Sequence, residues 1–196
     1  ICGVRANTGS IYCAPFNTEH ILKIGDTIQG TVETLYDVEL PAETGTYLWS
    51  SGALAADNSI YYMPNHARRI MKLNPDNDSL SSVGGDLGGE GTWKYIGTVV
   101  GNDDYVYGTP YGATHIVKFD PANPDTTSLL GDEAEEEFMC DKGVLGGDGN
   151  IYAANAAGQV LKIDAGVRMN SDHTWIGDPI YSGNGVGWSV PIVVVD

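Results

Sequence analysis

Histidine and arginine side chains recur at one position of this sequence, directly before apolar segments of the form Ile-x-Lys or Val-x-Lys. His20, Arg69 and His115 occupy that position in three segments, and Gln159 occupies it in a fourth. A histidine acts as a general base only when a reacting partner lies within hydrogen-bond reach. No Gly-x-Ser-x-Gly nucleophile motif is present to supply such a partner. We therefore predict no catalytic residues and interpret these side chains as polar tips of strands.

The polar stretches that end at these positions differ from copy to copy. They cover residues 16–20, 65–69, 111–115 and 156–159. Binding residues are commonly found in variable loops that a rigid scaffold holds in place, and polar groups around a concave opening are the default prediction for a site. The predicted binding residues are Phe16, Asn17, His20, His66, Arg69, Tyr111 and His115.

Acidic connections form a second group of loops, which we expect on the same face. The segment 132–137 is the most acidic, and such a run is typical of a solvated, self-repelling loop. Calcium binds to carboxylate and carbonyl oxygens, but no EF-hand-like alternation of ligands is present. Cys2, Cys13 and Cys140 lack the spacing of a zinc site, and we expect free thiols, with a Cys2–Cys13 bridge as the alternative. We predict no cofactor and leave the metal unknown, with calcium an open alternative.

An internal repeat sets the positions of all these residues. Segments that begin at Ile11, Ile60, Val106 and Ile151 each continue with tyrosine, and they start 49, 46 and 45 residues apart. Turn residues such as Asp148-Gly149-Asn150 precede each tyrosine-bearing segment, and a lysine-bearing segment follows it. Each period therefore predicts four short strands with no helical periodicity. Repeats of 40–50 residues with four antiparallel strands are typical of propeller blades.

The fold class that follows is all-β, a β-propeller of four-stranded antiparallel blades. We expect one domain, or a fragment of a larger one, with four complete blades and the first strand of a fifth. A longer chain with five or more blades is the favoured hypothesis, and a four-bladed ring with a spare strand is the alternative. The predicted blades cover about 1–36, 46–85, 92–131 and 137–178, and the extra strand covers 187–196.

The repeated tyrosines and lysines have a structural interpretation. We expect the tyrosine rings to pack between blades with their hydroxyls reaching the backbone. We expect each lysine to cover apolar surface with its stem while its ammonium meets an acidic turn. A ring of ligand-stacking tyrosines or a basic binding ring is the alternative. The residues concerned are Tyr12, Tyr61, Tyr107 and Tyr152, with Lys23, Lys72, Lys118 and Lys162.

The blade pattern, a turn followed by Ile-Tyr-x-x-Pro and then Ile-x-Lys-Ile-Asp or its variants, resembles propeller-repeat proteins of the algal and protist type. More distantly, it is similar to the blades of virginiamycin B lyase, gluconolactonase-type lactonases and NHL repeats. The resemblance spans nearly the whole chain and concerns the residues that build the blade. The lyases and lactonases imply catalytic residues and a divalent metal at the channel mouth, but no residue here matches such a set position by position.

Charge limits the partners of the chain, which carries 26 acidic and 10 basic residues for a net charge of -16. Such a surface repels nucleic acid, and no segment has the roughly 20 apolar residues of a membrane span. We predict a non-enzymatic binding or scaffolding propeller that presents its polar loop face to a protein or glycan partner. A metal-dependent lyase or lactonase, and a structural module of a cell-surface or filament assembly, are the alternatives. The compartment stays open, with a secreted or cell-surface location favoured.

Overall fold

The computed structural model describes residues 3–18, 20–25, 32–35, 45–88, 93–131, 139–155, 157–165, 173–174 and 192–195. Every regular element in these ranges is a β-strand, which confirms the all-β prediction. Sheet 1 has the order β1-β2-β3-β4 and is antiparallel throughout. Its strands are β1 (Gly3–Arg5), β2 (Ile11–Cys13), β3 (Ile21–Ile24) and β4 (Val32–Leu35).

Sheets 2 and 3 repeat this antiparallel meander. The strands of sheet 2 are β5 (Trp49–Leu54), β6 (Ile60–Pro64), β7 (Ile70–Asn74) and β8 (Ser79–Val83). Those of sheet 3 are β9 (Tyr95–Val100), β10 (Val106–Pro110), β11 (Ile116–Phe119) and β12 (Thr127–Leu130).

Sheet 4 begins in the same way and ends differently. Its strands are β13 (Val144–Leu145), β14 (Asn150–Ala154), β15 (Val160–Asp164), β16 (His173–Thr174) and β17 (Ile192–Val195). β17 lies between β15 and β16, parallel to β15 and antiparallel to β16. We expected residues 187–196 to start a fifth sheet, but the described part of that segment joins sheet 4. Its four β-branched residues have the strand preference needed to pair with the edge of β15.

The turns between the first and second strands of the sheets share one backbone feature. The residue two positions before each Ile-Tyr segment has a positive φ, between 61° and 93°. Glycine, asparagine and aspartate tolerate this left-handed conformation better than other residues do. The repeated turn chemistry of the sequence therefore has a direct backbone cause. The four residues are Gly9, Asn58, Asp104 and Gly149.

The hydrophobic core lies between successive sheets. Alternate side chains of one strand point to opposite faces, so Tyr62 packs towards sheet 1 while Tyr61 packs towards sheet 3. A third cluster, which includes Tyr107 and Ile151, joins sheets 3 and 4. The first strands of successive sheets also contact one another. Ser50 reinforces that contact, since its hydroxyl donates to the carbonyl of Ile96 at 2.9 Å.

Glycine is required where strand β5 passes its neighbour closely. A Cβ atom added at Gly52 would lie 2.6 Å from the ring of Tyr62 on β6. In the described part of the chain, no helix has both the length and the apolar character needed to span a membrane.

Candidate functional site

Backbone hydrogen bonds connect the loops of successive sheets at one end of the molecule. The loop between β6 and β7 begins at Asn65, whose N–H donates to the carbonyl of Leu48 at 2.8 Å. The carbonyl of Asn65 accepts from the N–H of Lys94 at 3.2 Å. The loop between β10 and β11 repeats the arrangement, since the N–H of Tyr111 donates to the Lys94 carbonyl at 2.8 Å. Each loop is thus held between the segment entering its own sheet and the segment entering the next one.

Four rings, each from a different segment, meet at this end, and we call them the ring cluster: Phe16, Tyr47, His66 and Trp93. Ring centroids lie 4.9 Å apart for Phe16 and Tyr47, and 5.0 Å apart for Tyr47 and Trp93. The imidazole of His66 packs edge-on against Tyr47 at 5.5 Å and Trp93 at 5.3 Å. Such edge-to-face and tilted contacts are favourable arrangements of aromatic rings.

The ring cluster is open to solvent on one side. Trp93 is 40% exposed, and the other three rings are half-buried. Exposed apolar residues that cluster, unlike single ones, often mark a site of interaction. The backbone hydrogen bonds described above hold the segments that carry Tyr47, His66 and Trp93, so the rings stand on a fixed scaffold.

The imidazole of His66 is neutral at pH 7. Partial burial lowers the pKa of His66, and the nearby Lys94 ammonium lowers it further, which outweighs a hydrogen bond with the Thr46 backbone. Its Nε2 atom is buried without a hydrogen-bond partner among the described residues. A neutral imidazole has one donor and one acceptor nitrogen, and because the ring donates to the Thr46 backbone, Nε2 is the acceptor.

Two buried polar side chains belong to the segments that carry the ring cluster. Asn65 is fully buried, and neither its amide nitrogen nor its amide oxygen has a hydrogen-bond partner in the described part of the chain. Lys94 is 5% exposed, and its ammonium donates to the carbonyl of Ala67 at 2.8 Å. Buried polar groups are nearly always hydrogen bonded, so an unsatisfied amide calls for an explanation.

The structure brings together two of the predicted binding residues, Phe16 and His66, in the ring cluster. Asn17 is exposed and His20 is half-buried in the loop that follows Phe16. Arg69 has a structural role, since its guanidinium donates to the carbonyl of Gly84 and its own carbonyl accepts from the indole of Trp49 at 3.0 Å.

The other two predicted residues lie in the next loop along the chain. Tyr111 is held through its backbone, which donates to Lys94 and accepts from the N–H of Met139 at 2.7 Å. His115 pairs with the hydroxyl of Thr114 at 3.1 Å and lines a separate cleft of about 330 Å³, together with Asp86 and Lys94.

The sequence analysis missed Tyr47, Trp93, Asn65 and Lys94. A signal for two of them was present, because Gly45-Thr46-Tyr47 and Gly91-Thr92-Trp93 place an aromatic residue after Gly-Thr at equivalent points of the repeat. Both aromatics directly follow the acidic connections, where only charge was considered. The unsatisfied amide of Asn65 has no sequence signal, because it depends on packing in three dimensions.

The four repeated tyrosines and three of the repeated lysines, Lys23, Lys72 and Lys118, bind turn carboxylates at the opposite end of the sheets. The hydroxyl of Tyr107 donates to Asp103 at 2.7 Å, and the Lys118 ammonium pairs with the same carboxylate at 2.8 Å. Burial and the hydrogen bond to Asp103 raise the pKa of Tyr107 well above its usual value. We expected the tyrosine hydroxyls to reach the backbone, and that of Tyr12 does approach the Pro75 carbonyl at 3.4 Å. All four hydroxyls bond a carboxylate, however, because a charged carboxylate is the stronger acceptor.

Sheet 1 obtains its carboxylate from sheet 2. The position that holds aspartate in the turns of the other sheets holds Thr8 in sheet 1. Asp78, in the turn between β7 and β8, replaces it: Tyr12 donates to one oxygen at 2.6 Å and Lys23 pairs with the other at 2.6 Å. Asp78 therefore connects the two sheets through a charged contact.

A second cleft, of about 490 Å³, lies at the turn end between sheets 2 and 3. Asp57, Asp103, Asp104 and Asp120 line it. Asp57 and Asp103 already pair with Lys72 and Lys118, so the repeat itself accounts for them. Within the described ranges, no group of three or more His, Cys, Asp or Glu residues is placed to hold a metal ion.

Comparisons with known proteins identify the fold. No family profile matches the sequence, and no curated protein matches it significantly. The structure is similar to virginiamycin B lyase from Staphylococcus aureus, with a TM-score of 0.63, 16% identity, and coverage of 82% of this chain and 50% of the other. A streptogramin B lyase matches with a TM-score of 0.62 and 14% identity over 86% of this chain and 55% of the other. A luciferin-regenerating enzyme matches with a TM-score of 0.50 and 14% identity over 80% of this chain and 53% of the other.

The chain spans about half the length of these structures. The likeness supports a propeller-like arrangement of four small antiparallel sheets. At this level of identity it concerns the fold alone, since one fold hosts many activities.

Proposed function

We propose that this chain is a non-enzymatic binding module, which holds a protein or glycan partner at the end of the sheets that carries the ring cluster. The single observation behind the proposal is the partly exposed cluster of four rings, with centroid distances of 4.9 to 6.0 Å. Its rings come from loops of different sheets, so the site exists only when the sheets stand side by side.

The architecture that we propose for this module is a set of blades around one axis. Three hydrophobic clusters join the four sheets in the order of the chain. The first strands of successive sheets also contact one another, as those of propeller blades do. We propose further blades in a longer chain as the means of closing the ring. A structure of the native full-length protein tests this: a closed ring of only four sheets would contradict it.

The ring cluster has the composition of a binding surface. Aromatic residues are enriched at the energetic centres of interfaces because they bury large areas at a low cost in side-chain entropy. Polar groups beside them, such as the neutral imidazole of His66, add directional contacts that fix the orientation of a ligand. A site fixed on rigid sheets needs little reorganisation on binding.

Affinity capture with surface variants tests the proposal. The immobilised wild-type protein, a Tyr47→Ala/Trp93→Ala variant and a Val144→Ala variant are each exposed to a native extract, and the retained components are quantified. Val144 is a suitable control because it is 64% exposed on β13 of sheet 4, whereas the ring cluster is carried by segments of sheets 1 to 3. We expect at least one component to be lost with the ring variant and kept with the control. Identical retention by all three proteins would contradict the proposed site.

A further inference from the structure

We infer that a second copy of this chain packs against it head to tail, with the outer face of sheet 1 in one copy against the outer face of sheet 4 in the other. The outer faces are the sides of these two sheets that point away from sheets 2 and 3. The inference goes beyond the proposed binding function and does not depend on the ring cluster. It rests on the repeat, because equivalent faces elsewhere in the molecule are covered by a neighbouring sheet.

One face of each later sheet packs against the sheet before it. In sheet 2 this face consists of Ile60 and Tyr62 on β6 with Met71 and Leu73 on β7. All four are fully buried in the hydrophobic cluster that sheet 2 shares with sheet 1. The equivalent residues of sheets 3 and 4 lie in the clusters shared with sheets 2 and 3: Val106, Val117 and Phe119 in sheet 3, and Ile151, Ala153, Leu161 and Ile163 in sheet 4.

The outer face of sheet 1 has the same apolar positions without such a cover. Leu22 is 37% exposed there, whereas Met71 at the equivalent position of sheet 2 is fully buried. Within the described ranges, hydrophobic clusters join sheet 1 to sheet 2 alone. The residues of this face are Ile11, Cys13, Leu22 and Ile24, and all except Leu22 are half-buried.

The outer face of sheet 4 has the complementary positions, those that pack against the following sheet elsewhere in the repeat. Ala154 is exposed on this face, whereas Met63 at the equivalent position of sheet 2 is 1% exposed and packs towards sheet 3. Tyr152 and Val160 lie on the same face and are half-buried, although their equivalents in sheet 2 are fully buried. Each copy therefore carries both halves of one further contact between sheets.

Two copies can complete this contact twice. A contact between unlike faces closes into a ring when the rotation that it imposes brings the free ends together. The chain spans about half the length of the propeller-like structures that it matches, so two copies together have roughly the length of one such fold. Further sheets of a longer chain would occupy the same two faces, and the inference therefore concerns the chain of 196 residues.

Net charge opposes the association and makes it dependent on salt. Each copy carries a charge of -16, and two such copies repel each other at low ionic strength. Salt screens this repulsion, but the gain from burying apolar side chains does not depend on the repulsion. We therefore expect the dimer to be more stable at high salt than at low salt.

Analytical ultracentrifugation over a range of protein concentrations tests the inference. The proteins compared are wild type, the face variants Leu22→Asp and Ala154→Asp, and the control Leu129→Asp, each checked for folding by circular dichroism. Leu129 is 54% exposed on β12 of sheet 3, outside both outer faces. We expect wild type and the control to form dimers. Each face variant should weaken the dimer roughly tenfold or more, because it would bury a charge against apolar side chains. A serine substitution at the same position replaces a face variant that fails to fold.

Three results would overturn the inference. The first is a monomer at every concentration in both low and high salt. The second is a dimer that only one of the two face variants weakens, which would indicate a contact between two like faces. The third is a dimer that neither face variant weakens, which would place the contact elsewhere. None of these results bears on the ring cluster, whose function depends on the capture experiment.

Discussion

The side-chain amide of Asn65 has a cost in the unbound protein. It is fully buried, and its two polar atoms lack partners among the described residues. Desolvating such a group without a compensating hydrogen bond costs about 1–3 kcal/mol. Costs of this kind are found mainly at functional or strained sites.

Substitution of this residue is expected to stabilise the protein. Asn65→Leu keeps the side-chain size and the backbone hydrogen bonds while removing the unsatisfied amide. We expect the free energy of unfolding to rise by about 1 kcal/mol, which raises Tm by roughly 2–4 °C in a chain of this size. Thermal denaturation measures the effect, and a lower Tm would show that the amide has an internal partner.

The four sheets differ as elements in how they complete their tyrosine and lysine contacts. Sheets 2 and 3 use an aspartate in their own turns, Asp57 and Asp103, whereas sheet 1 uses Asp78 of its neighbour. The tyrosine-lysine pattern was predictable because it recurs at fixed spacing. The source of the carboxylate in sheet 1 was not, because the contact joins residues 66 positions apart.

A double-variant cycle tests the contact between sheets 1 and 2. Asp78→Asn preserves the left-handed backbone at this residue but removes the charge that pairs with Lys23, so we expect it to lower the free energy of unfolding. Thr8→Asp should restore a local carboxylate at the position equivalent to Asp57. We therefore expect Thr8→Asp to offset much of the loss in the double variant. Chemical denaturation measures all four proteins, and purely additive effects would argue against this exchange of partners.

At the element scale, sequence patterns also predicted most strands, including both strands of every Ile-Tyr and lysine pair. The ring cluster was only partly predicted. Phe16 and His66 were predicted because their loops vary between repeats. Tyr47 and Trp93 were not, because they directly follow acidic segments that were interpreted from their charge alone. The sequence alignment assigned the segment of β17 to a fifth sheet, whereas the structure pairs it with β15 of sheet 4. Pairing partners depend on which strand edges are open, and a sequence alignment does not give this information.

On the scale of the whole molecule, packing is uneven among the sheets. Within the described ranges, sheets 2 and 3 have a hydrophobic cluster on each face, whereas clusters join sheets 1 and 4 to one neighbour each. Regions with more buried apolar contacts open less often. The centre of the array should therefore be its most stable part.

Amide hydrogen exchange is expected to report this difference. We predict the slowest exchange in β6, β7, β10 and β11, because opening them disrupts two clusters at once. The corresponding strands β2, β3, β14 and β15 should exchange faster. Mass spectrometry of peptic fragments provides the measurement. Uniform protection of all four sheets would indicate that they unfold as one cooperative unit.

Sheet 1 depends on a carboxylate of sheet 2, and this limits how freely the repeats can be rearranged. An engineer who deletes, duplicates or reorders sheets would leave Tyr12 and Lys23 facing a new neighbour without Asp78. Residues 3–35 and 49–83 are therefore best transplanted together, as a single cassette. The repeats become interchangeable only after an acidic residue is introduced into the turn between β1 and β2 of sheet 1.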